Sequence, residues 1–356
     1  MTFLLLAKDA LPILVEGGEA FENRDDFYIP NHSPINAIAI SEDGKNIVSG
    51  SKDGSIKIWD RRNGKILKSL EGHTNSVMSV AISNDAKIIV SGSSDKSIKI
   101  WDIKSGKILK SLEGHTNTVR SVAISNDGKL IVSGSLDKSI KIWDIKSGKI
   151  LKSLNGNILI NSVAISKDSK IIVSSSWGKR IKIWDIESGK ELKNLNKHTR
   201  YVLSVAISQD SKTIVSGSGD KSIKIWDMRS GKILKSLDGH IDIITSIALS
   251  RDGKTVISSS KDGSIKIWDV KSGKELNTLE GYKSSINLYS LSPNGKFLVS
   301  SSNKSIQIWD IDEKKLFKTF KVHSNIIDIK VSPAMKYLIL TKDDKSQEVW
   351  DIEKKY

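Results

Sequence analysis

Histidine, serine and aspartate recur in this chain in the combination that a hydrolase uses. In such a site an aspartate orients a histidine, and the histidine takes the proton of a serine nucleophile. His73, Ser91 and Asp95 form one such set, and a tryptophan follows it. The same set occurs five times, and a set built five times over in one chain indicates structure rather than catalysis. The five sets are His32, Ser49, Asp53 and Trp59; His73, Ser91, Asp95 and Trp101; His115, Ser133, Asp137 and Trp143; His198, Ser216, Asp220 and Trp226; and His240, Ser258, Asp262 and Trp268.

No histidine is left over for other chemistry, because all six stand at one position of this repeat. The chain has no cysteine, which excludes disulfides, thiolate metal sites and cysteine nucleophiles. It also lacks a glycine-rich phosphate loop followed by Lys-Ser or Lys-Thr. The residues therefore predict a protein that is not an enzyme and that uses no cofactor and no catalytic or structural metal.

A repeat of 41 or 42 residues positions these sets. Its most regular stretch is Ser97 to Asp102, Ser-Ile-Lys-Ile-Trp-Asp, which returns with little change along most of the chain. Short runs rich in Val, Ile and Ser alternate with Asn-Asp, Ser-Asp and Ser-Gly turns, a pattern that predicts four short antiparallel strands per unit. Such a unit is apolar on both faces and unstable alone, so the units must stack and close on themselves.

The repeat resembles the WD-repeat (WD40) family of β-propellers, which has Gly-His before the first strand of a unit and Trp-Asp at the end of the third. Gly72-His73 with Trp101-Asp102 matches this signature, and so does Gly114-His115 with Trp143-Asp144. The resemblance covers about residues 31–356 and implies an all-β, eight-bladed propeller with four antiparallel strands per blade. It also implies that Asp, His, Ser and Trp of each set are linked by hydrogen bonds inside one blade.

The resemblance also implies how the ring closes. The eighth unit contains only three strands, and in this family an N-terminal strand usually supplies the fourth. We expect residues 25–30 to pair with the last blade, because they precede His32 as residues 65–70 precede His73; residues 11–15 are the alternative. The predicted division is an N-terminal extension at 1–22, interpreted as a cap over one face, and a single propeller at 23–356 whose closing strand is about 23–30.

The net charge of +15 comes mainly from lysines, since only eight of the 56 basic residues are arginine. The lysines repeat with the units, and Lys107 and Lys110 fall on the expected outer strand, where lysine prevents edge pairing between chains. The alternative is binding to a polyanion, either nucleic acid or an anionic surface. No apolar run is long enough to span a membrane and no secretory signal is recognisable, so we expect an intracellular protein, cytoplasmic or nuclear.

The fourth unit departs most from the repeat. It lacks one residue and the histidine in the stretch from Asn155 to Asn161, and Gly178 replaces the aspartate. Trp177, directly before that glycine, is the only tryptophan outside a Trp-Asp pair. Two interpretations remain open: Trp177 is part of a binding surface, or it packs over its own blade and compensates for the lost hydrogen bonds.

The resemblance implies where a partner would bind. In WD-repeat proteins, peptides commonly dock on the face that carries the turn before the third strand and the start of the first strand. Carried over to this chain, these positions bring together apolar residues in blades 3 to 6, with Arg120 and Arg200 nearby. We predict that this patch binds a protein or peptide, with Trp177 and Tyr201 as anchors and Arg120 selecting acidic groups, in a propeller that is monomeric or part of a larger complex. The predicted patch consists of Leu136, Leu159, Trp177, Tyr201, Leu203 and Ile243, with Arg120 at its edge.

Overall fold

Short β-strands separated by tight turns make up the fold, as the alternation of Val, Ile and Ser predicts. A computed structural model of the chain describes residues 27–30, 35–41, 46–60, 66–250 and 252–279, and beyond these the strands that end with Asp351. No helix occurs in these parts of the chain, and none of their segments has the length and apolarity of a membrane-spanning helix. Glycine or a residue with positive φ closes many of the turns, for example Lys96 and Gly106.

In chain order the strands are β1 (Phe27–Pro30), β2 (Ile35–Ile40), β3 (Asn46–Ser51), β4 (Ile56–Asp60), β5 (Ile66–Leu70), β6 (Val77–Ile82), β7 (Ile88–Ser93), β8 (Ile98–Asp102), β9 (Ile108–Leu112), β10 (Val119–Ile124), β11 (Leu130–Ser135), β12 (Ser139–Asp144), β13 (Ile150–Asn155), β14 (Ile160–Ile165), β15 (Ile171–Ser176) and β16 (Ile181–Asp185). They continue with β17 (Glu191–Leu195), β18 (Val202–Ile207), β19 (Thr213–Ser218), β20 (Ile223–Asp227), β21 (Ile233–Leu237), β22 (Ile244–Leu249), β23 (Thr255–Ser260), β24 (Ile265–Asp269), β25 (Glu275–Leu279), β26 (Leu288–Leu291), β27 (Phe297–Ser302), β28 (Ser305–Asp310), β29 (Lys315–Lys321), β30 (Ile326–Val331), β31 (Tyr337–Lys342) and β32 (Ser346–Asp351).

These strands form eight antiparallel four-stranded sheets. The first sheet contains β2–β5, the second β6–β9, the third β10–β13, the fourth β14–β17, the fifth β18–β21, the sixth β22–β25 and the seventh β26–β29. The eighth has the order β1-β32-β31-β30, so its outer strand comes from the other end of the chain. There Phe27 pairs with Val349 and Pro30 with Ser346.

β1 lies inside the segment 25–30 that was expected to pair with the last blade, whereas the alternative at 11–15 lies outside the described residues. The extension at 1–22 lies outside them too. A closed ring of eight blades and the division at residue 22 stay predictions.

Consecutive sheets pack face to face, and the core lies between them. Between the second and third sheets it contains Val90, Ile98 and Ile100 from one side and Ile131 and Trp143 from the other. The Trp-Asp tryptophans of the second to sixth sheets are therefore core residues, and Trp143 is only 1% exposed. An equivalent cluster lies between the first and second sheets, and others lie between each consecutive pair of sheets from the third to the sixth. No sheet buries both of its faces alone, which is why the repeat has to stack.

The first strand of each of the first six sheets, called the inner strand here, carries a bulge one residue after its start. In β10 the register shifts between Val119 and Ser121, so Arg120 is left without a partner residue across the ladder. The inner strands of neighbouring sheets contact one another, which places the bulged residues near the centre of the array. This feature sets the position of Arg120 and of the residues equivalent to it, which are Asn36, Met78, Asn161, Leu203 and Thr245.

Candidate functional site

The recurrent His, Ser, Asp and Trp residues form a hydrogen-bonded tetrad inside each of four described sheets. In the third sheet His115 Nδ1 lies 2.7 Å from Asp137 Oδ2, and His115 Nε2 lies 2.7 Å from Ser133 Oγ. Trp143 Nε1 donates to the same Ser133 Oγ at 2.8 Å. The second, fifth and sixth sheets repeat this geometry, while His32 of the first set lies outside the described residues.

The protonation states of the tetrad allow each of its hydrogen bonds one donor and one acceptor. Burial lowers the pKa of His115 below its ordinary value and outweighs the opposing effect of Asp137, so the ring is neutral. A neutral ring donates from Nδ1 to the aspartate and accepts the serine proton at Nε2, which leaves the serine oxygen free to accept from the tryptophan. Burial would raise the pKa of Asp137, but hydrogen bonds from Ser139, Thr116 and His115 lower it to about 2.

The serine of the tetrad cannot act as a nucleophile in this arrangement. Ser133 is completely buried behind Trp143, and both of its neighbours in the tetrad are committed to hydrogen bonds. A nucleophile must reach a substrate, and this oxygen has no path to solvent. Among the described residues there is also no cluster of three or more His, Asp or Glu side chains that could hold a metal ion.

The fourth sheet keeps only one end of the tetrad. Trp184 Nε1 still donates to Ser174 Oγ at 2.9 Å, although the histidine and the aspartate are missing. Two isoleucines lie beside the glycines of this region: Ile160 lies over Gly156, and Ile158, which is 36% exposed, lies over Gly178. A Cβ at residue 178 would stand 2.6 Å from Ile158 Cδ1, so a larger residue there would require that side chain to shift. The fourth sheet thus keeps its strands with only the bond from tryptophan to serine.

Trp177 does not pack over its own sheet. Its side chain is 51% exposed, and its ring contacts Tyr201 of the fifth sheet with the centroids 6.2 Å apart and the planes inclined at 37°. Tilted aromatic pairs at this distance attract one another through their quadrupoles. Trp177 therefore points outward and bridges two sheets instead of folding over its own.

Tyr201 is held from below by a glycine. A Cβ at Gly219 would stand 2.5 Å from Tyr201 Cε2 and 2.7 Å from Cζ, so the tyrosine ring lies directly on the glycine backbone. Gly219 N also donates to Tyr201 O at 2.8 Å. Because any larger residue at 219 would lift the ring, Gly219 positions Tyr201 against Trp177.

One backbone hydrogen bond places the two predicted contact positions side by side in the second to sixth sheets. The residue before the tetrad aspartate, or its equivalent, donates its N–H to the carbonyl of the first-strand residue. Trp177 thus donates to Leu159 O at 3.0 Å, and Leu136 donates to Thr118 O at 2.9 Å. The same bond joins Ser94 to Ser76, Gly219 to Tyr201 and Lys261 to Ile243.

Some residues of the predicted patch contact one another, and others lie on either side of them. Trp177 and Tyr201 touch each other, and Leu159 is bound to Trp177 through the backbone. Leu136 and Ile243 occupy the equivalent places in the third and sixth sheets, flanking that centre, and both are partly buried. Sequence reasoning missed two more exposed side chains on this side, Ile158 at 36% and Ile241 at 77%. Ile241 directly follows His240, and Ile158 lies in the unit that lacks the histidine. The signal available in the sequence was an apolar residue where the other units have polar ones.

Arg120 occupies the bulge of β10, and its guanidinium is held by the neighbouring sheet. Arg120 Nη2 donates to Asn161 Oδ1 at 3.3 Å, and Asn161 Nδ2 donates in turn to Leu203 O. Burial lowers the pKa of Arg120, and no carboxylate of the described residues forms an ion pair with it. A partly desolvated arginine with one neutral partner is suited to bind an acidic group of a ligand.

Ser175, at the base of the same region, is the buried polar side chain in the described structure whose oxygen has no hydrogen-bond partner. It is completely buried, and it stands where the second, third and fifth sheets have Gly92, Gly134 and Gly217. The sixth sheet also has a serine there, Ser259, but Thr245 Oγ1 pairs with its hydroxyl at 2.7 Å. The replacement of glycine by serine is visible in the sequence, but its lack of a partner is not.

The fold and the tetrads define this protein as a β-propeller built from WD repeats. The family model for the WD domain, G-beta repeat, matches residues 27–60, 64–102, 106–144, 148–185, 189–227, 231–269 and 273–310. These matches cover well over half of the chain, which therefore belongs to the WD40 family. β29 to β32 follow the last matched repeat.

Solved and curated proteins agree with this assignment. The crystal structure of the computationally designed Ika8 protein superposes with a TM-score of 0.79 at 32% identity, covering 90% of this chain and 97% of that one. Autophagy-related protein 16 of Arabidopsis thaliana is 43% identical over 47 residues, which is 13% of this chain and 9% of that protein.

Two further curated relatives match over similarly short segments. The Lissencephaly-1 homolog of Monosiga brevicollis is 48% identical over 44 residues, or 12% of this chain and 11% of that protein. The general transcriptional corepressor TUP1 of Saccharomyces cerevisiae is 38% identical over 52 residues, 15% and 7% respectively. The matched segments thus span about a tenth of these relatives. Propellers of this family are in general non-catalytic scaffolds for protein interaction.

Proposed function

We propose that this propeller binds a protein or peptide on the face that carries Trp177, with the patch of the third to sixth sheets as the contact surface. The observation that carries the proposal is the contact between the exposed Trp177 and the half-buried Tyr201, whose ring lies on Gly219, across the interface of two sheets. Aromatic residues that are exposed yet held in place are the usual energetic centres of protein interfaces.

Preorganisation of the patch supports the proposal. The backbone of its turns is fixed by hydrogen bonds between first and second strands, and the tyrosine ring is fixed by the glycine beneath it. A ligand that binds to such a surface loses its own freedom but orders little of the protein. The aromatic pair thus offers contact area with a small entropic penalty.

Charge at the edge of the patch favours an acidic ligand. Lys179, Arg180 and Arg200 are exposed around Trp177, whereas the nearby carboxylates of Asp137 and Asp220 are engaged by His115 and His198. Arg120 adds a guanidinium that lacks a counter-ion among the described residues. We infer that the ligand combines an apolar side chain for Trp177 and Tyr201 with an acidic group for Arg120.

A peptide selection tests this proposal. A random peptide library displayed on phage is selected on the full-length protein, and the affinities of recovered peptides are measured by calorimetry. Trp177→Ala should weaken binding by about 30-fold or more, as expected for an interface anchor. Leu192→Ala is the matched control, because Leu192 on the outer strand β17 is 50% exposed but lies away from the patch. Its affinity should stay unchanged.

Two results would contradict the proposal. One is that peptides bind Trp177→Ala as tightly as the unaltered protein, which would place their site elsewhere. The other is that Trp177→Ala lowers the melting temperature as much as a core substitution, which would mean that the tryptophan serves packing.

Polyanion binding through the repeated lysines is the second candidate, favoured by the net charge of +15. Several of these lysines already have partners within their own sheets. Lys99 Nζ donates to Ser111 Oγ at 2.8 Å, and Lys182 Nζ lies 2.8 Å from Glu191 Oε2. Affinity for DNA or RNA that falls steeply with salt and is indifferent to Trp177→Ala would favour this candidate over the patch.

A further inference from the structure

Asn161 stands between two groups that compete for it. In β14 the register shifts between Ile160, which pairs with Ser176, and Ser162, which pairs with Ser175, so Asn161 between them is the bulged residue. Its amide nevertheless turns to the neighbouring sheets: Oδ1 accepts from Arg120 at 3.3 Å, and Nδ2 donates to Leu203 O. As a result, the buried hydroxyl of Ser175 beside it has no partner.

The sixth sheet shows what the same place looks like when the bulged side chain turns inward. Thr245 is the bulged residue of β22, with the same register shift between Ile244 and Ser246. Its hydroxyl pairs with Ser259 Oγ at 2.7 Å and also reaches Ser259 O at 3.2 Å. The backbone geometry therefore permits a polar bulged side chain to reach the serine that replaces glycine on the second strand.

We propose that Asn161 is a positioning residue with two alternative partners, and that capture of a carboxylate by Arg120 releases it to pair with Ser175. This inference rests on the proposed function, in which Arg120 receives the acidic group of the ligand. In the free protein Asn161 holds the guanidinium in place. In the bound protein the carboxylate takes over the guanidinium, and the amide of Asn161 turns to the Ser175 hydroxyl.

The direction of the exchange follows from the strengths of the bonds. A guanidinium binds a carboxylate more strongly than it binds a neutral amide oxygen, so the ligand displaces Asn161 from Arg120. A buried hydroxyl without a partner is unfavourable, so the released amide gains a hydrogen bond on turning inward. The exchange also gives up the hydrogen bond from Asn161 Nδ2 to Leu203 O. Acid binding at the surface thereby repairs a defect inside the fourth sheet.

Sodium acetate is the probe, because it presents the carboxylate alone and does not depend on Trp177. The full-length protein is titrated with acetate and, at matched ionic strength, with chloride, while NMR follows the side-chain resonances of Arg120 and Asn161. We expect a saturable shift of both resonances with acetate and none with chloride. Arg120→Gln should abolish the shift.

Ser175→Ala tests the second half of the exchange. It removes the unpartnered oxygen and keeps the rest of the side chain, so the melting temperature should rise by about 2 °C. The same variant should bind acetate about five-fold more weakly, because the released amide finds no hydroxyl. Ser259→Ala is the matched control: it breaks the bond to Thr245, so it should lower the melting temperature and leave acetate binding unchanged.

The combination of higher stability and weaker acetate binding is what a purely structural serine would not produce. The inference is overturned if acetate and chloride shift Asn161 alike, or if Ser175→Ala binds acetate as the unaltered protein does. Failure of the proposed function would look different: Trp177→Ala would keep peptide binding, while the acetate response of Asn161 would persist in that variant.

Discussion

The third and fourth sheets have nearly the same strands but differ in what joins them. Both keep the Ile-Trp-Asp stretch and the bond from tryptophan to serine, at 2.8 Å in one and 2.9 Å in the other. The third adds His115 and Asp137 to that bond, whereas the fourth has neither residue and places Ile158 over Gly178. A WD repeat can thus retain its strand geometry without the polar half of its tetrad.

The same comparison shows where the fourth sheet gains a new surface. At residue 178 a glycine replaces the aspartate, and Trp177 directly before it is half-exposed beside Tyr201. In the third sheet the equivalent residue is Leu136, which is partly buried before an aspartate that accepts hydrogen bonds from Ser139, Thr116 and His115. The turn keeps its backbone bond to the first strand in both sheets, so the new surface comes from the side chain that the turn carries.

The largest expected effect separates the two kinds of tryptophan. Trp143→Ala removes a fully buried ring from the core between the second and third sheets and should cost about 3–5 kcal/mol of unfolding free energy. Trp177→Ala removes an exposed ring and should cost about 1 kcal/mol or less, mainly its contact with Tyr201. Urea unfolding of both variants provides the measurement. Equal losses would contradict the distinction between a core and a surface tryptophan.

A smaller effect is expected when the third sheet is made to resemble the fourth. His115→Ala leaves Asp137 buried without its histidine and should cost about 2–3 kcal/mol. Adding Asp137→Gly removes the stranded carboxylate, so the double variant should be less unstable than the two single losses together. A double-mutant cycle by urea unfolding measures this coupling. Strict additivity would mean that histidine and aspartate do not act as a pair.

The smallest effect is expected on mild acidification. Burial lowers the pKa of His73, His115 and His240 below the ordinary 6.5, so below about pH 6.5 the unfolded chain binds protons that the folded chain refuses. Stability should therefore fall as the pH drops through this window. The contribution of Asp137, whose pKa is lowered from 3.8 to about 2, is lost only as the pH falls below 3.8.

Melting temperatures recorded between about pH 8 and about pH 5 check this prediction. The variant with both His115→Ala and Asp137→Gly should show a shallower dependence, because its third sheet then titrates like the fourth. A dependence of equal slope in the two proteins would show that other groups control the acid sensitivity.

The fold could be predicted from the sequence because the same pattern of residues recurs along most of the chain. The four strands of each unit and the exceptional fourth unit could be read from spacing, the linked tetrads followed from the resemblance to WD repeats, and the family assignment confirms that resemblance. The backbone hydrogen bond between turn and first-strand residues, such as Trp177 and Leu159, also recurs at equivalent positions of the repeat. The orientation of Trp177 had two interpretations in the sequence, because a tryptophan beside a glycine can turn either way.

What the sequence by itself determined is the structure that recurs with the period of 41 or 42 residues, since the regular units pack against similar neighbours and form the same bonds. Only the tertiary structure decided what happens where the period fails. The ring of Tyr201 lies on Gly219, a contact within the fifth sheet, and it meets Trp177 of the fourth across the interface between them. Asn161 chooses Arg120 and Leu203 over Ser175 because three sheets meet at the bulged strands near the centre of the array. Contacts of this kind depend on side-chain directions in neighbouring blades, which no single unit of the sequence contains.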